Sequence, residues 1–507
     1  MPKNRTAPNV RTRLKIAAAV ALALSVAACG SQLDPETVAQ VNGTNVTGGQ
    51  AGGGDSNLAG GGDAGVVDGG DPAAGDLPAD EGGAVGGDSG PADAGGSSGG
   101  GGGSTASSGG GGTSGSPSSG ANSAGGAGPK VSCDGFKNQT GITNDKITIA
   151  NASDISGPVP GIFSSAQDAT RAYAAYFNAN SSICGRKLEV QLLDSRTDAG
   201  ADQQAYAKAC ESAFATVGSM SAFDSGGAAT AQKCGLPDIR STIVNPERQK
   251  CTTCFAAQAV DTGVVPDAMA KWFVQNFKDA TQHVAVLYID AGASPPNAKA
   301  QAAAWGKAGW KVDYLQGIKV DEFNFATYVQ QMKNKGIKMV HYLGPLENSV
   351  KLQQAMKQQN FKPDVIFFDA TAYDAKYVKQ AGDLGNGVYV YMSNDLFTNT
   401  KNKEMQLYMA WLQQVKPGAV PNFYGLYAWS ATRLFVEQSL ALGGNLNRAN
   451  LVAGLKKVDK WTANGLHAPY GVGPGKGANC QKVIQLNNGQ WKQVSPGDYM
   501  CGSMIRG

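Results

Sequence analysis

Apolar and polar residues alternate with two different periods between residues 146 and 391. Short runs rich in β-branched and aromatic side chains predict strands at 146–150, 187–193, 215–218, 283–289, 311–315, 339–343, 365–368 and 387–391. Longer amphipathic stretches predict helices at 167–178, 202–213, 267–277, 298–307, 325–335 and 349–359. Strands that alternate with helices of this length form βαβ units, so the sequence predicts an α/β fold with parallel sheets flanked by helices.

The segment 130–507 is longer than the chain that one hydrophobic core usually supports, so two domains are expected. Three further helices, predicted at 403–415, 424–442 and 448–456, follow the last predicted parallel strand.

The first residues are basic and are followed by an apolar run over 16–28. That run is too short to span a bilayer, which needs about 20 apolar residues, and is typical of a secretory signal peptide. It ends in Val26-Ala27-Ala28-Cys29, which resembles the bacterial lipobox. We expect a lipoprotein signal peptide over 1–28, with lipid attached to Cys29. An ordinary signal peptide with an incidental cysteine is the alternative.

Residues 29–129 consist mainly of Gly, Ala, Ser and Asp, with almost no large apolar side chains. Such a segment cannot bury enough apolar surface to offset the entropy of ordering it, so we expect a disordered tether. A flexible chain of this length reaches about 50–60 Å. A low-complexity insertion without function is the alternative.

The formal net charge of the whole chain is +3. Because the predicted tether at 29–129 is acidic, the net charge of residues 130–507 is more positive than this value. A positive balance favours an anionic ligand or an acidic envelope surface, unless the lysines are simply solvated on helices. No block of basic residues is interleaved with aromatic residues, and we therefore expect no nucleic-acid partner.

Eight cysteines remain when Cys29 is set aside, and an even number in an exported chain predicts disulfides. Pairing each cysteine with its neighbour in the sequence gives Cys133–Cys184, Cys210–Cys234, Cys251–Cys254 and Cys480–Cys501. The Cys251-x-x-Cys254 pair leaves two other interpretations open, a redox pair or half of a zinc site. A second close pair is missing and His283, His341 and His467 are scattered, so we expect no metal.

Three loops are expected to follow strands, at 153–159, 218–227 and 241–247, and the first two are rich in Ser and Gly. In an open parallel sheet, such loops form the ligand crevice. A turn of this kind at a helix N-terminus offers free backbone N–H groups, so 218–227 predicts an anion site suited to a carboxylate. Simple helix capping is the alternative.

Catalytic motifs are missing from the sequence. It contains no Gly-x-Ser-x-Gly elbow, no His-Glu-x-x-His and no P-loop, and three histidines offer few general bases. We therefore expect a binding protein rather than an enzyme, without a cofactor.

Several short motifs recur in an order typical of one family. They are Ser156-Gly157-Pro158, Asn178-Ala179-Asn180, Gly185-Arg186-Lys187-Leu188, Asp194-Ser195-Arg196, Val217-Gly218-Ser219, Leu236-Pro237, Asn245-Pro246, His283-Val284-Ala285-Val286-Leu287-Tyr288 and Tyr424-Gly425-Leu426-Tyr427-Ala428. Together they resemble the type I periplasmic binding proteins of the branched-chain amino-acid (Leu/Ile/Val-binding) group.

The resemblance implies a periplasmic-binding-protein-like I fold of two lobes joined by a three-strand hinge. Lobe 1 is expected at 130–261 plus 395–465, and lobe 2 at 262–394 plus 466–507. It also implies a monomer that closes on a small solute and delivers it to the permease of an ABC importer. A ligand-sensing surface receptor on the same fold, partnering a separate signalling protein, is the alternative function.

The resemblance also implies where the solute is held. The expected contacts are Ser221, Ala222, Phe223, Ser225, Thr242, Tyr373, Asp154, Phe163, Glu347 and Asp369. Val244 stands where the family has a hydroxyl group, and the acid of the second lobe is displaced unless Glu347 or Asp369 replaces it. The sequence therefore predicts an amino acid or a related amide or carboxylate, and does not name one. The expected location is the outer face of the cell membrane.

Overall fold

The structure, a computed structural model, describes residues 132–507. The predicted signal peptide, the lipidation site Cys29 and the predicted tether at 29–129 lie outside the described residues. Within 132–507, no helix has the length and apolar character needed to cross a bilayer.

The first sheet contains five parallel strands in the order β2-β1-β3-β4-β5. These strands are β1 Lys146–Ser153, β2 Lys187–Asp194, β3 Ala215–Val217, β4 Asp238–Thr242 and β5 Cys254–Gln258. The helices between them are α1 Ser164–Asn180, α2 Ala199–Ser212, α3 Ala228–Lys233 and α4 Pro246–Lys250. Every crossover runs through a helix, as parallel strands require.

The second sheet has five parallel strands and two antiparallel ones, in the order β13-β12-β11-β10-β9-β7-β8. They are β7 Val284–Ile289, β8 Val312–Ile318, β9 Met339–Leu343, β10 Val365–Phe368, β11 Tyr389–Met392, β12 Cys480–Asn487 and β13 Gln490–Gln493. The helices α5 Ala268–Asn276, α6 Ser294–Lys307, α7 Ala326–Asn334, α8 Leu346–Gln358 and α9 Ala375–Ala381 belong to the same part of the chain.

Shorter elements complete the fold. The strand β6 Val264–Pro266 pairs with β15 Met504–Arg506, and β14 Met500–Cys501 pairs with β12. The helices α10 Lys403–Val415, α11 Phe423–Leu442 and α12 Arg448–Leu455 return to the first sheet, where α11 packs on α1 and β4.

The central strands follow from the sequence because a parallel strand covered on both faces is mainly apolar. All six residues of β7 are buried, for example. The predicted parallel α/β architecture of two lobes is confirmed, with element ends shifted by a few residues.

The strand β4 ends later than the sequence suggests. Ser241 and Thr242 belong to the strand, so the loop expected at 241–247 begins at Ile243. The apolar pattern does not reveal this strand because it carries Asp238 and Arg240, both fully buried.

Those buried charges form one network under the first sheet. Arg248 lies 2.9 Å from Asp202 and 3.0 Å from Asp238, and Arg240 lies 3.7 Å from Asp224. Buried charges are tolerated only when they are paired and hydrogen-bonded, so the network fixes the loop that carries Asp224.

The chain passes between the buried core of the first lobe and those of the second three times, after Ala259, after Met392 and between Cys480 and Val483. Leu466 and Ala478 pack in the first core, although the sequence places residues 466–507 in lobe 2. We propose lobes of 130–261 plus 395–479 and of 262–394 plus 480–507.

All four expected disulfides are present, which confirms the pairing of neighbours. Cys251 follows the end of α4 and Cys254 begins β5, and both are buried. Residues 132–507 contain no group of three or more His, Cys, Asp and Glu side chains that could hold a metal ion.

Candidate functional site

A cleft of about 540 Å³ lies between loops of the two sheets. The first lobe contributes residues after β1, β3 and β4, and the second contributes residues after β7, β9 and β10. These are carboxyl ends of parallel strands, where open α/β sheets hold their ligands. One side of the cleft reaches the hinge, where Val264 and Met504 line it.

Apolar and aromatic side chains form most of the cleft wall. The aromatic members are Phe163, Phe223, Tyr391, Phe423, Tyr424 and Tyr470. The rings of Phe163 and Tyr424 meet edge to face, with centroids 4.5 Å apart. A wall of this composition is suited to an apolar solute whose orientation is set by a few polar groups.

The charged side chains that line the cleft all belong to the second lobe. They are Glu347, Asp369, Asp374 and Lys376. Lys376 donates to Glu347, so its charge is already paired. Asp374 caps α9 by accepting from the Lys376 N–H group at 2.7 Å. The cleft is therefore lined by more carboxylates than basic groups.

Asp369 follows β10 and has one oxygen that the described chain leaves without a partner. Its Oδ1 accepts hydrogen bonds from the backbone N–H and the hydroxyl of Thr371, at 2.9 and 2.5 Å. Its Oδ2 accepts no hydrogen bond from residues 132–507. Burial raises the pKa of Asp369 above its usual range. Burial, and then the charge of Asp369, raise the pKa of Tyr391 and Tyr424, since both phenols lie near this carboxylate.

Four backbone N–H groups of the first-lobe loops donate to other groups of the protein. The Ala222 N–H donates to Asp154 at 2.9 Å, the Phe223 N–H to the Ser221 hydroxyl at 3.2 Å, and the Val244 N–H to Asp224 at 3.1 Å. The Gly227 N–H, in front of α3, donates to Asp202 at 2.8 Å. Three N–H groups of the segment 218–227 are thus taken by the chain's own carboxylates and hydroxyls, and the anion site expected there remains a prediction.

Six of the ten expected contact residues line the cleft. They are Ala222, Phe223, Thr242, Phe163, Glu347 and Asp369. Their position is consistent with the expected contacts, and their role in binding remains a prediction.

The other four expected residues lie outside the cleft lining. Asp154 is fully buried and also accepts from the Ser195 hydroxyl at 2.5 Å. Tyr373 stacks on Phe397 and accepts from its N–H group at 2.9 Å. Ser221 is buried behind Phe223, and Ser225 accepts the Ala228 N–H group through its carbonyl. All four have structural partners.

The sequence analysis did not select several residues of the cleft wall. Tyr391 is the penultimate residue of β11, and Tyr424 lies in the Tyr-Gly-Leu-Tyr-Ala motif at the start of α11. Asn297, in the first turn of α6, donates to the Val244 carbonyl across the cleft at 3.1 Å. The sequence feature that indicated a position of α11 near this site was the expected second segment of lobe 1 at 395–465.

Comparison with known proteins gives consistent results. The family model described as "Periplasmic binding protein" matches residues 146–490. No curated protein matches the chain.

Solved structures share the fold at low sequence identity. The leucine-binding protein LivK of Thermotoga maritima is 14% identical, with a TM-score of 0.59 over 71% of this chain and 99% of its own. LivJ of Streptococcus pneumoniae, in complex with isoleucine, is 16% identical, with a TM-score of 0.58 over 69% and 100%. A solute-binding protein of R. palustris, in complex with 4-hydroxybenzoate, is 17% identical, with a TM-score of 0.56 over 71% and 96%.

Proposed function

The chain belongs to the periplasmic binding protein family, and we propose that it is a lipid-anchored, extracytoplasmic receptor that captures a small solute for an ABC importer. The observation that carries this proposal is the aromatic cleft between the carboxyl ends of two parallel sheets. LivK, LivJ and the R. palustris protein share this fold, and the structures of the last two hold isoleucine and 4-hydroxybenzoate.

Contacts across the cleft support a lobe-closing mechanism. Asn297 of the second lobe reaches the Val244 carbonyl of the first, and Asn422 lies 3.4 Å from Asp374. Within residues 132–507, three passages of the chain connect the lobes, so rotation of one lobe against the other changes few other contacts. A solute held by both walls would favour the closed arrangement.

The anchoring part of the proposal depends on the sequence around Cys29. Lipid on this residue, followed by the linker at 29–129, would hold the receptor near a permease while leaving its lobes free to turn.

Solute binding is tested by thermal unfolding of the purified chain with amino acids, amides, urea and aromatic or aliphatic carboxylates and amines. A solute that binds the native state stabilises it by about 2.7 kcal/mol at one hundred times its dissociation constant. We expect saturable stabilisation by one chemical class. If no solute shifts the unfolding temperature at millimolar concentration, the receptor function is wrong.

The position of the site is tested by the double variant Phe223→Ala, Thr242→Ala. Both residues line the first-lobe wall, so we expect the affinity for the solute found in the screen to fall about tenfold or more through lost apolar contact. Titration calorimetry measures this affinity. Phe323→Ala is the matched control, because that ring is 73% exposed and lies outside the cleft lining. Unchanged affinity in the double variant would refute this position.

A further inference from the structure

The first-lobe wall of the cleft already contains two carboxylates of its own. Asp154 accepts the N–H groups of Ala222 and Thr197, at 2.9 and 3.0 Å, and Asp224 accepts that of Val244. A solute carboxylate at this wall would find these three donors occupied and would have to displace a buried side chain to reach them.

Electrostatics at this wall also disfavour an anion. Asp224 lies 3.7 Å from Arg240, which offsets its charge. Asp154 is fully buried, and no basic side chain of residues 132–507 forms an ion pair with it. A second carboxylate close to Ala222 would be repelled by this charge in a medium of low polarity.

The second-lobe wall offers an anion little compensation. Lys376 is the one basic side chain among the described residues that line the cleft, and it donates to Glu347. A solute carboxylate could take Lys376 only by leaving Glu347 without its partner.

The same wall is suited to a cation. The Oδ2 atom of Asp369 is without a partner in the described chain, and Tyr391 and Tyr424 lie near it. A carboxylate beside aromatic rings can bind an ammonium group through both its charge and the negative ring faces. The remaining wall is apolar and can hold a hydrocarbon or aromatic body.

Building on the proposed solute-binding function, we propose that the solute is an apolar amine without a carboxylate group, with its ammonium on Asp369. The cleft would thus discriminate against free amino acids. Their ammonium would have Asp369 as a partner, whereas their carboxylate at the first-lobe wall would lie beside Asp154 and would find the N–H groups of Thr197, Ala222 and Val244 occupied.

Two matched series of probes test this proposal by titration calorimetry on the full chain. One consists of 2-phenylethylamine, L-phenylalanine, 3-phenylpropanoate and 3-phenylpropanamide, and the other of 3-methylbutylamine, L-leucine, 4-methylpentanoate and 4-methylpentanamide. We expect the amine to bind at least about tenfold more tightly than the other members of its series. Tightest binding by the amino acid, the acid or the amide would overturn the proposal.

The wider solute screen separates the two proposals. If it finds a carboxylate-bearing solute that binds while both amines fail, the amine proposal is wrong and the receptor function stands. If no solute binds at all, the receptor function itself fails.

The variant Asp369→Asn tests the proposed contact between the ammonium group and Asp369. Asparagine keeps an oxygen for the Thr371 N–H group, so the local turn should persist while the charge is lost. We expect amine affinity to fall about tenfold or more, and the amide probe to lose much less. Asp279→Asn is the control, because Asp279 is an exposed carboxylate of the same lobe that pairs with Lys338. Equal amine affinity in Asp369→Asn and wild type would overturn the assignment.

Discussion

Two histidines are buried in the molecule, at positions where a charge has no partner. His341 lies in β9, where its Nδ1 contacts the Phe367 carbonyl at 3.1 Å and its Nε2 has no partner in the described chain. His467 packs in parallel with the Tyr427 ring and lies 2.9 Å from the Ser430 hydroxyl. Burial lowers the pKa of each to about 4, so both are neutral in the folded protein at pH 5.

This burial makes stability depend on pH. The folded pKa is below the unfolded value of about 6.5, so the unfolded chain binds more protons between pH 6.5 and 4, and stability falls as the pH falls through that window. We expect each histidine to remove about 2 kcal/mol from the free energy of unfolding between pH 7 and 5.

The variant His341→Phe should reduce that loss by about 2 kcal/mol, as measured by denaturant unfolding at the two pH values. Tyr314→Phe is the control, since it changes a buried tyrosine of the same lobe that does not titrate in this range. An identical pH dependence in His341→Phe and wild type would contradict the burial of a neutral histidine.

At the scale of single residues, the sequence predicted which loops form the cleft more reliably than which of their side chains are free to contact a solute. Asp154 and Asp369 both follow a strand, and sequence position alone makes them equally good candidates for ligand contact. Only the fold shows that both oxygens of Asp154 accept hydrogen bonds from neighbouring loops, while one oxygen of Asp369 is left over. Hydrogen-bond satisfaction is a property of the packed chain and leaves no sequence pattern.

At the scale of elements, most apolar parallel strands were predicted, whereas the polar strand β4 and the short strand β5 were not. The β9 and β10 strands begin and end where their apolar runs do, because both faces of a parallel strand are covered. The end of β4 was misplaced because Asp238 and Arg240 break its apolar pattern. Their charges are compensated by Arg248, Asp202 and Tyr206, which come from other elements.

The C-terminal tail is an element whose position depends on a disulfide. Cys480–Cys501 joins β12 to β14, and beyond it β15 pairs with β6 at the hinge. Closing a loop with a sequence separation of 21 residues stabilises a protein by about 3 kcal/mol in the chain-entropy view.

We therefore expect Cys480→Ser, Cys501→Ser to lower the free energy of unfolding by about 3 kcal/mol and to weaken hydrogen-exchange protection of Val264–Pro266. Cys210→Ser, Cys234→Ser is a matched control, because that disulfide has a similar separation of 24 residues but lies in the first lobe. It should cost similar stability without exposing β6. Equal protection of β6 in both variants would contradict a hinge held by the tail.

At the scale of the whole molecule, the hinge and the cleft share residues. Gln258, Val264 and Met392 lie on or beside the passages between the lobes, and all three line the cleft. A solute that contacts them would therefore change the hinge as well as the lobe walls, which is how binding could be signalled to a partner protein. The resemblance implies a hinge, but neither β6 nor β15 was predicted from the sequence, so the contact between hinge and cleft was not predicted.

The predicted tether is expected to be attached to the membrane through Cys29. If lipid on Cys29 holds the receptor, Cys29→Ala should move it from the membrane fraction to the soluble fraction, as measured by detergent phase partitioning. Its affinity for the solute should stay the same, because the cleft residues begin at Pro158.

Deletion of residues 45–124 is the matched control. It keeps Cys29 and shortens the linker, so the protein should remain with the membrane while its reach falls well below about 50 Å. If Cys29→Ala stays membrane-bound, the anchor lies elsewhere. A shortened chain that binds its solute normally and yet supports less uptake in cells would show that the length of the tether is needed to bring the lobes to their permease.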